Sequence, residues 1–383
     1  MVGHVLKTVL LAFFIVFPAL KFQFFVGLTG MLIYGLLVVL LLIALQSTLG
    51  KMIVSRLGRY EYIMVMAFVL FLFLLFQILY PYLNQYEGGS NREEALNIAA
   101  HHILRGEYPY YEYAKVAWLA PDDPQNVGTP ISPFPGGVLF SIPFVFLANS
   151  AWQNFFWLLV LFVFLKKVLP NEALMIWFAA FLSPIVWHEV LTGGDLLANT
   201  IWITVLSILS IHFIEARMSL KWRTLVFFIF GIGLSSRLNF LLILPAFILT
   251  LRNKLHWSQT MKYCLIIMAA FLLITLPFYL YDPNAFSPLH TYQKLARFEG
   301  VMPSTVVIAL SLIASFAIIW GRKSIFTFAR HAAIALLIPV LCVCFAQIYV
   351  SQEWNFMEYS WYGQAALYFA LIWLWPRHYV ATS

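Results

Sequence analysis

The chain has 383 residues, of which 62% are hydrophobic and only 10% are charged. A soluble domain of this length carries about a quarter charged residues, so the composition nearly excludes a water-soluble fold. The net charge of +7 could suggest a nucleic-acid partner, but a membrane protein also collects basic residues in the loops of one side.

Apolar runs recur along almost the whole chain, and several reach the ~20 residues that span a bilayer core. They predict an all-α fold, a polytopic transmembrane bundle of about 10–13 helices, some of them short. Nine runs are predicted to be membrane spans. They cover residues 8–20, 22–46, 60–82, 172–188, 196–214, 263–281, 303–320, 331–350 and 360–375.

The charges between these runs predict the orientation of the chain. One set of loops holds 16 of the 23 basic residues and only three of the 16 acids, Glu61, Glu172 and Glu215. These basic residues are Lys7, Lys51, Arg56, Arg59, Lys166, Lys167, Arg217, Lys221, Arg223, Arg252, Lys254, Lys262, Arg322, Lys323, Arg330 and Arg377. By the positive-inside rule these loops and both termini are cytoplasmic, so a nucleic-acid surface is not needed to explain the charge.

Residues 83–133 form the long hydrophilic segment, which this orientation places outside. Ser90 and Glu93 fit a capping box, and apolar residues then repeat at helical spacing as far as Gly106. We therefore expect an amphipathic helix that lies at the membrane surface. His101 and His102 point in different directions on such a helix, so we expect them to be solvated rather than to share a metal.

Two apolar stretches do not have the length of ordinary spans. Residues 134–165 form two short runs broken at Asn149 and Ser150, although the flanking charges require an odd number of crossings. Either one run is re-entrant, or Lys166 and Lys167 break the charge rule. The flanking charges require residues 224–251 to cross the membrane an even number of times. Each half of this stretch, however, has only about 13 residues, or ~20 Å of helix.

The apex of the second stretch, residues 235–239, would lie below the outer surface and contains Arg237. A charge at membrane depth needs a polar cavity or a partner, which makes Arg237 a candidate site residue. The alternative is an arginine that snorkels to the interface or pairs with a nearby acid.

Several short sequence motifs occur along the chain in an order that is typical of a known family. They are ALNIAA (95–100), LRGEYPY (104–110), SPFPG (132–136), TGGD (192–195), GLSSRLN (233–239) and LP (244–245). In order and spacing the chain resembles the glycosyltransferase C superfamily, polytopic enzymes that use polyprenyl- or dolichyl-phosphate sugars. The resemblance is closest to the bacterial mannosyl- and arabinosyltransferase-like branches and covers roughly residues 60–300.

The resemblance also implies a domain organisation. We expect one integral membrane domain over residues 1–383, without a separate soluble domain. It would consist of an N-terminal helical hairpin (1–59), a glycosyltransferase C-like core (60–300) with the outer loop 83–133, and C-terminal helices (301–383).

An inverting transfer needs a carboxylate that takes the proton from the acceptor hydroxyl. The resemblance places this base early in the first outer loop, where the family often has an aspartate and this chain has Asn91. Asparagine cannot act as a base, and Asn91 is instead a candidate for substrate binding. Either Glu94, Glu93 or Glu87 takes the role, with Glu94 preferred because the capping box already employs Glu93, or the chain has lost transfer activity.

The departing lipid phosphate needs a cation, and a guanidinium forms paired bonds with phosphate oxygens. Arg237 is the candidate, with Asn239 beside it on the same apex. His188 and Asp195 lie on the preceding outer turn, next to Gly193 and Gly194. Asp195 could orient the acceptor, bind a metal or pair with Arg237.

Tyr110 belongs to an aromatic group in the outer loop that fits either an interfacial belt or a platform for sugar rings. His290, Tyr292, Lys294, Arg297, Glu353, Trp354 and Glu358 lie in the later outer segments, which could cover the cavity or select the acceptor.

The predicted function is transfer of a sugar from a polyprenyl-phosphate donor to an extracytoplasmic glycan, lipid or protein. The partners are then membrane lipids, the lipid-linked donor and the acceptor, and no carboxylate cluster demands a metal. The alternatives are a transporter or flippase for lipids or lipid-linked sugars, because polar intramembrane turns also line transport paths, and a catalytically silent relative. From the resemblance we expect the bacterial cytoplasmic membrane, although an endoplasmic reticulum location would give the same charge pattern.

Overall fold

A computed structural model describes residues 2–83, 92–114, 128–289, 298–321, 324–352 and 359–375. Within these ranges the protein is almost entirely helical, which confirms the all-α prediction. The helices are α1 (Val2–Val16), α2 (Gln23–Gln46), α3 (Thr48–Leu57), α4 (Glu61–Leu83), α5 (Arg92–Leu104), α6 (Pro135–Leu147), α7 (Gln153–Val168), α8 (Ala173–Ala180), α9 (Pro184–Thr192), α10 (Leu196–Glu215), α11 (Leu220–Leu234), α12 (Leu244–Arg252), α13 (Trp257–Tyr281), α14 (Ser304–Phe316), α15 (Ile325–Ser351) and α16 (Gln364–Leu374). Two short antiparallel strands, β1 (Tyr113–Ala114) and β2 (Thr129–Pro130), pair in the segment between α5 and α6.

Seven helical segments of the described chain are long and apolar enough to cross a membrane. They are Val5–Phe22, Phe25–Gln46, Gly58–Leu83, Ser150–Val168, Leu196–Glu215, Trp257–Tyr281 and Ile325–Ser351. The predicted span 172–188 corresponds to α8 and α9, which are bent by 73° around residues 181–183 and together form either a broken span or a re-entrant loop. With this bent pair and three shorter apolar helices, the number of candidate membrane helices in the described chain falls within the predicted 10–13.

The centre of the bundle is α10, which is buried along nearly its whole length, whereas α2 exposes most of its side chains. The peripheral helix carries a nearly pure apolar sequence, as expected of a surface that contacts lipid. The central helix contains Thr200, Thr204, Ser207 and Ser210, whose hydroxyls donate to carbonyls of their own helix. Such small polar residues allow neighbouring helices to approach α10 closely.

Both unusual apolar stretches break where the sequence predicts. The first ends α6 at Leu147 and resumes with a 3-10 turn at Ser150, and the 13 residues of α6 are too few to span a bilayer. The second folds back at residues 235–237, and Phe247 of α12 packs on Phe227 and Phe230 of α11. It is therefore a helical hairpin with Arg237 at its apex.

Helix α5 is the predicted outer-loop helix, and it ends before Gly106, whose φ of +74° favours glycine. Its apolar residues Ala95, Leu96, Ala99 and Ala100 are buried against α6 and the outer loop. The expected amphipathic helix is therefore present, and its apolar face packs against the protein; its position at the membrane surface stays a prediction. Ser90 of the expected capping box lies outside the described residues.

The hairpin apex is held against the start of α6 by a close backbone contact. The N–H of Gly136 donates to the Ser235 carbonyl over 3.0 Å, and a Cβ at position 136 would lie 2.2 Å from the carbonyl oxygen of Ile232. Only glycine allows this approach, so the apex and α6 position each other.

Substituting alanine for Gly136 is therefore expected to lower the free energy of unfolding by about 1–3 kcal/mol, the usual cost of overpacking. The measurement is thermal unfolding in detergent. Gly58→Ala is the matched control, because a Cβ there meets no atom within 4 Å and should change stability by no more than about 0.5 kcal/mol. Equal destabilisation of both variants would contradict the close contact.

Candidate functional site

The candidate site is built around Asp195, which stands between α9 and α10 after a two-glycine turn. Gly193 ends α9 with φ of +73°, and Asp195 is only 1% exposed. One oxygen of its carboxylate lies 3.1 Å from a guanidinium nitrogen of Arg92. The other oxygen forms a short ion pair with Arg237 and accepts a 2.8 Å hydrogen bond from Asn199. One buried carboxylate thus joins two arginines.

Three distant parts of the chain meet in this cluster. Arg92 begins α5, Asp195 precedes α10, and Arg237 lies at the hairpin apex. Burial alone would raise the pKa of Asp195, but the guanidiniums of Arg237 and Arg92 outweigh burial and hold the pKa below its ordinary value. The pairing of Asp195 with Arg237, which was one of three alternatives from the sequence, is present. The role of Arg92 was missed.

A second group of residues extends the cluster through Arg92. Its guanidinium lies 4.0 Å from the ring centre of Trp361 and donates to the hydroxyl of Tyr362 over 2.9 Å. The amine of Lys21 lies 4.0 Å from the same Trp361 ring and 3.5 Å from Nε2 of His188. His188 therefore lies beside the cluster, as its place on the outer turn suggested.

Lys21 could have been found from the sequence. It is a single charge between two apolar runs, and the reasoning that selected Arg237 applies to it equally. Trp361 and Tyr362 carried no comparable signal, because aromatic residues are common near the ends of membrane helices.

A cavity of about 140 Å³ opens beside Arg237. Its polar lining comes from Ser132, Arg237 and Asn239, so the two apex residues line a common space. Its other walls are aromatic or aliphatic and are formed by Phe134, Leu238, Pro339, Val340, Val343, Tyr359 and Tyr362. A lining that combines a guanidinium and polar residues with apolar residues suits an amphipathic ligand.

Arg237 keeps donor capacity for such a ligand. Its Nε is buried and has no hydrogen-bond partner among the described residues. A buried donor without a partner is costly, so the contacts with Asp195 leave part of the hydrogen-bonding capacity of Arg237 unsatisfied.

The acidic candidates for a base lie next to Arg92. Glu93 is 2% exposed, accepts a 2.9 Å hydrogen bond from the Tyr80 hydroxyl and packs against Gly193. Glu94 is half-buried, and burial raises its pKa above the ordinary carboxyl value. Glu87 and Asn91 lie outside the described residues, so their predicted roles stay predictions.

Tyr110, predicted to bind substrate, lies in a separate apolar cluster. Its ring packs on Phe278 and Phe286, and its hydroxyl donates to the Pro133 carbonyl. In this position it joins the outer loop to α13 and does not line the cavity.

The outer-loop histidines are separate from the cluster as well. His102 lies 2.9 Å from a carboxylate oxygen of Glu107, and His101 is exposed. The described chain contains no group of three or more His, Cys, Asp or Glu residues arranged to hold a metal. The candidates in the later outer segments, residues 290–297 and 353–358, lie outside the described residues.

The fold and site together define a class: a polytopic helical membrane protein with a buried Arg–Asp–Arg cluster beside an amphipathic cavity. The family model described as ALG3 protein matches residues 196–295, about a quarter of the chain. This segment contains Arg237 and Asn239, and the match supports, at a coarse level, a relation to membrane glycosyltransferases. No curated protein and no solved structure matches the chain.

Proposed function

We propose that the protein is a membrane glycosyltransferase that takes a sugar from a polyprenyl- or dolichyl-phosphate donor and transfers it to an acceptor on the extracytoplasmic side. The observation that carries this proposal is the amphipathic cavity lined by Arg237. The partial family match supports the same class of enzyme.

The lining of the cavity suits each part of the donor. A lipid-phosphate sugar has a charged group between a polar ring and an apolar chain, and the cavity is lined by the cation Arg237, by polar residues and by aliphatic residues. The phosphate would accept hydrogen bonds from Arg237, and the first isoprenoid units would pack on Val340 and Val343 of α15. Asn239 and Ser132 would bind donor oxygens.

The charge of the cluster suits the departing group. Asp195 neutralises one of the two guanidiniums, so Arg92, Asp195 and Arg237 together carry one net positive charge. When the bond between sugar and phosphate breaks, negative charge grows on the lipid phosphate, and a fixed guanidinium in a low-dielectric site stabilises that charge. Asp195 keeps Arg237 in place without consuming its Nε donor.

A carboxylate on the first turn of α5 would accept the proton of the acceptor hydroxyl. Glu94 remains the preferred base, because it is half-buried while Glu93 is enclosed by Tyr80 and Gly193. Burial raises the pKa of Glu94, which brings a carboxylate closer to the pH at which a base works best. Glu93 and Glu87 are the other candidates.

The direct test is release of free polyprenyl phosphate by protein purified in detergent and supplied with a panel of polyprenyl-phosphate sugars. Arg237→Ala should weaken donor binding by about 2 kcal/mol, or roughly 30-fold, as expected for a hydrogen bond to a charged group. Arg252→Ala is the matched control, since Arg252 is the exposed arginine at the other end of the same hairpin.

Equal donor affinity in Arg237→Ala and Arg252→Ala would contradict the phosphate site. Lipid binding or lipid movement across vesicles without any release of polyprenyl phosphate would instead support the flippase or the silent relative.

A further inference from the structure

The side chain that caps the start of α10 does not belong to the residue at the N-cap position. Asp195 occupies the N-cap position, where an aspartate normally accepts hydrogen bonds from the backbone, but its side chain makes no cap bond. The cap comes from the preceding helix instead. One carboxylate oxygen of Glu189 accepts the N–H of Leu196 over 2.9 Å and the N–H of Leu197 over 3.2 Å.

The surrounding turn is shaped to admit this carboxylate. A Cβ at Gly194 would lie 2.4 Å from the bonded oxygen of Glu189, so only glycine leaves room for it. The amide of Asn154 donates to the backbone carbonyls of both Glu189 and Gly194, over 3.2 and 2.9 Å. Glu189 is fully buried, so its position is determined by these contacts.

Glu189 and Asp195 therefore divide two tasks that one carboxylate could not perform together. The free N–H groups at a helix start attract the nearest carboxylate, both through hydrogen bonds and through the helix dipole. If Glu189 did not reach Leu196 and Leu197, Asp195 would be drawn to the backbone and away from the guanidiniums.

We propose that Glu189 is a positioning residue: by capping α10 from α9, it leaves the Asp195 carboxylate available to hold Arg237 at the cavity. Glu189 touches neither the cavity lining nor the proposed donor, and it acts through Asp195. The expected effect of Glu189 on sugar transfer rests on the proposed function. The expected effect of Glu189 on the position of Arg237 does not.

Two conservative substitutions of Glu189 separate the effect of side-chain length from the effect of charge. Glu189→Gln keeps an oxygen that can accept both N–H groups but loses the charge. Glu189→Asp keeps the charge but is one methylene too short for the same bonds. Glu172→Asp is the matched control, because Glu172 stands at the N-cap of α8 without any side-chain cap bond.

The first readout is the rate at which phenylglyoxal modifies Arg237 of the protein in detergent. Peptide mass spectrometry measures this rate. We expect modification to be about fivefold faster in Glu189→Asp, the factor that corresponds to a typical lost cap. Glu189→Gln and Glu172→Asp should stay near the wild-type rate. The second readout is donor kcat/KM, which should fall about fivefold in Glu189→Asp and should not fall in Glu189→Gln.

A double-mutant cycle tests the route of the effect. If Glu189 acts through Asp195, then Glu189→Asp should add nothing to Asp195→Asn in either readout. Additive effects, an unchanged Arg237 rate in Glu189→Asp, or a larger effect of Glu189→Gln would overturn the proposal. A wild-type protein that releases no polyprenyl phosphate would overturn the proposed function alone, because the modification rate of Arg237 would still report on Glu189.

Discussion

Replacing Asp195 by alanine is expected to lower the free energy of unfolding by about 3–5 kcal/mol, because it leaves two guanidiniums buried without their shared carboxylate. Arg92 and Arg237 have side chains only 15% and 16% exposed, so water replaces the lost partner only in part. Thermal unfolding in detergent measures the effect. Donor binding should fall as well, since Arg237 loses the contact that orients it.

Glu215→Ala is the control for this prediction. Glu215 also pairs with a basic residue, Lys254, but its side chain is 36% exposed. An exposed ion pair contributes about 0–1 kcal/mol, so the control variant should unfold close to the wild-type temperature. If the two variants were destabilised equally, the cluster around Asp195 would not be the buried network described above.

The same cluster predicts a dependence of stability on pH. The guanidiniums hold the pKa of Asp195 below its ordinary value of 3.8. A carboxylate with a lowered folded-state pKa stabilises the fold above the unfolded-state pKa, and this contribution is lost as the pH falls through the folded-state pKa. The stability difference between wild type and Asp195→Ala should therefore be constant near neutrality and shrink only in acid below about pH 4.

Glu94→Gln is expected to reduce turnover by about 10²–10⁴-fold, the usual contribution of a general base, while donor binding stays unchanged. Glutamine has nearly the same shape as glutamate but cannot take a proton, so the substitution tests the chemistry rather than the packing. The measurement is release of polyprenyl phosphate at saturating donor. Glu107→Gln is the control, since Glu107 is an exposed glutamate of the same loop.

The pH profile of the wild type gives an independent check on Glu94. A base works only when it is deprotonated, so turnover should be lost as the pH falls through its pKa. Because burial raises the pKa of Glu94, this loss should occur at a higher pH than for an ordinary glutamate, whose value is 4.5. If Glu94→Gln kept wild-type turnover, Glu93 and Glu87 would be the candidates to replace next.

The membrane class and most helix positions could be predicted from the sequence because they depend on local properties. The length of an apolar run decides whether it can span a bilayer, and the breaks at Asn149 and at residues 235–239 follow from polar residues inside such runs. Arg237 was found in the same way, since a charge inside an apolar stretch needs a partner wherever the chain folds.

Two features of the predicted elements could not be read from the sequence. They are the 73° bend between α8 and α9 and the packing of α5 on α6. Apolar periodicity reports that a face is buried, but it does not distinguish burial in lipid from burial in protein.

By itself, then, the sequence determined a polytopic helical membrane protein, its helix breaks and one intramembrane arginine, because each of these follows from the composition of a short segment. Only the tertiary structure brought Arg92 to Asp195, 103 positions away, and placed Lys21 and Trp361 beside them. It also decided that Glu189 caps α10 in place of Asp195. These contacts depend on how helices pack against one another, and no local pattern of residue types specifies which distant side chains will meet.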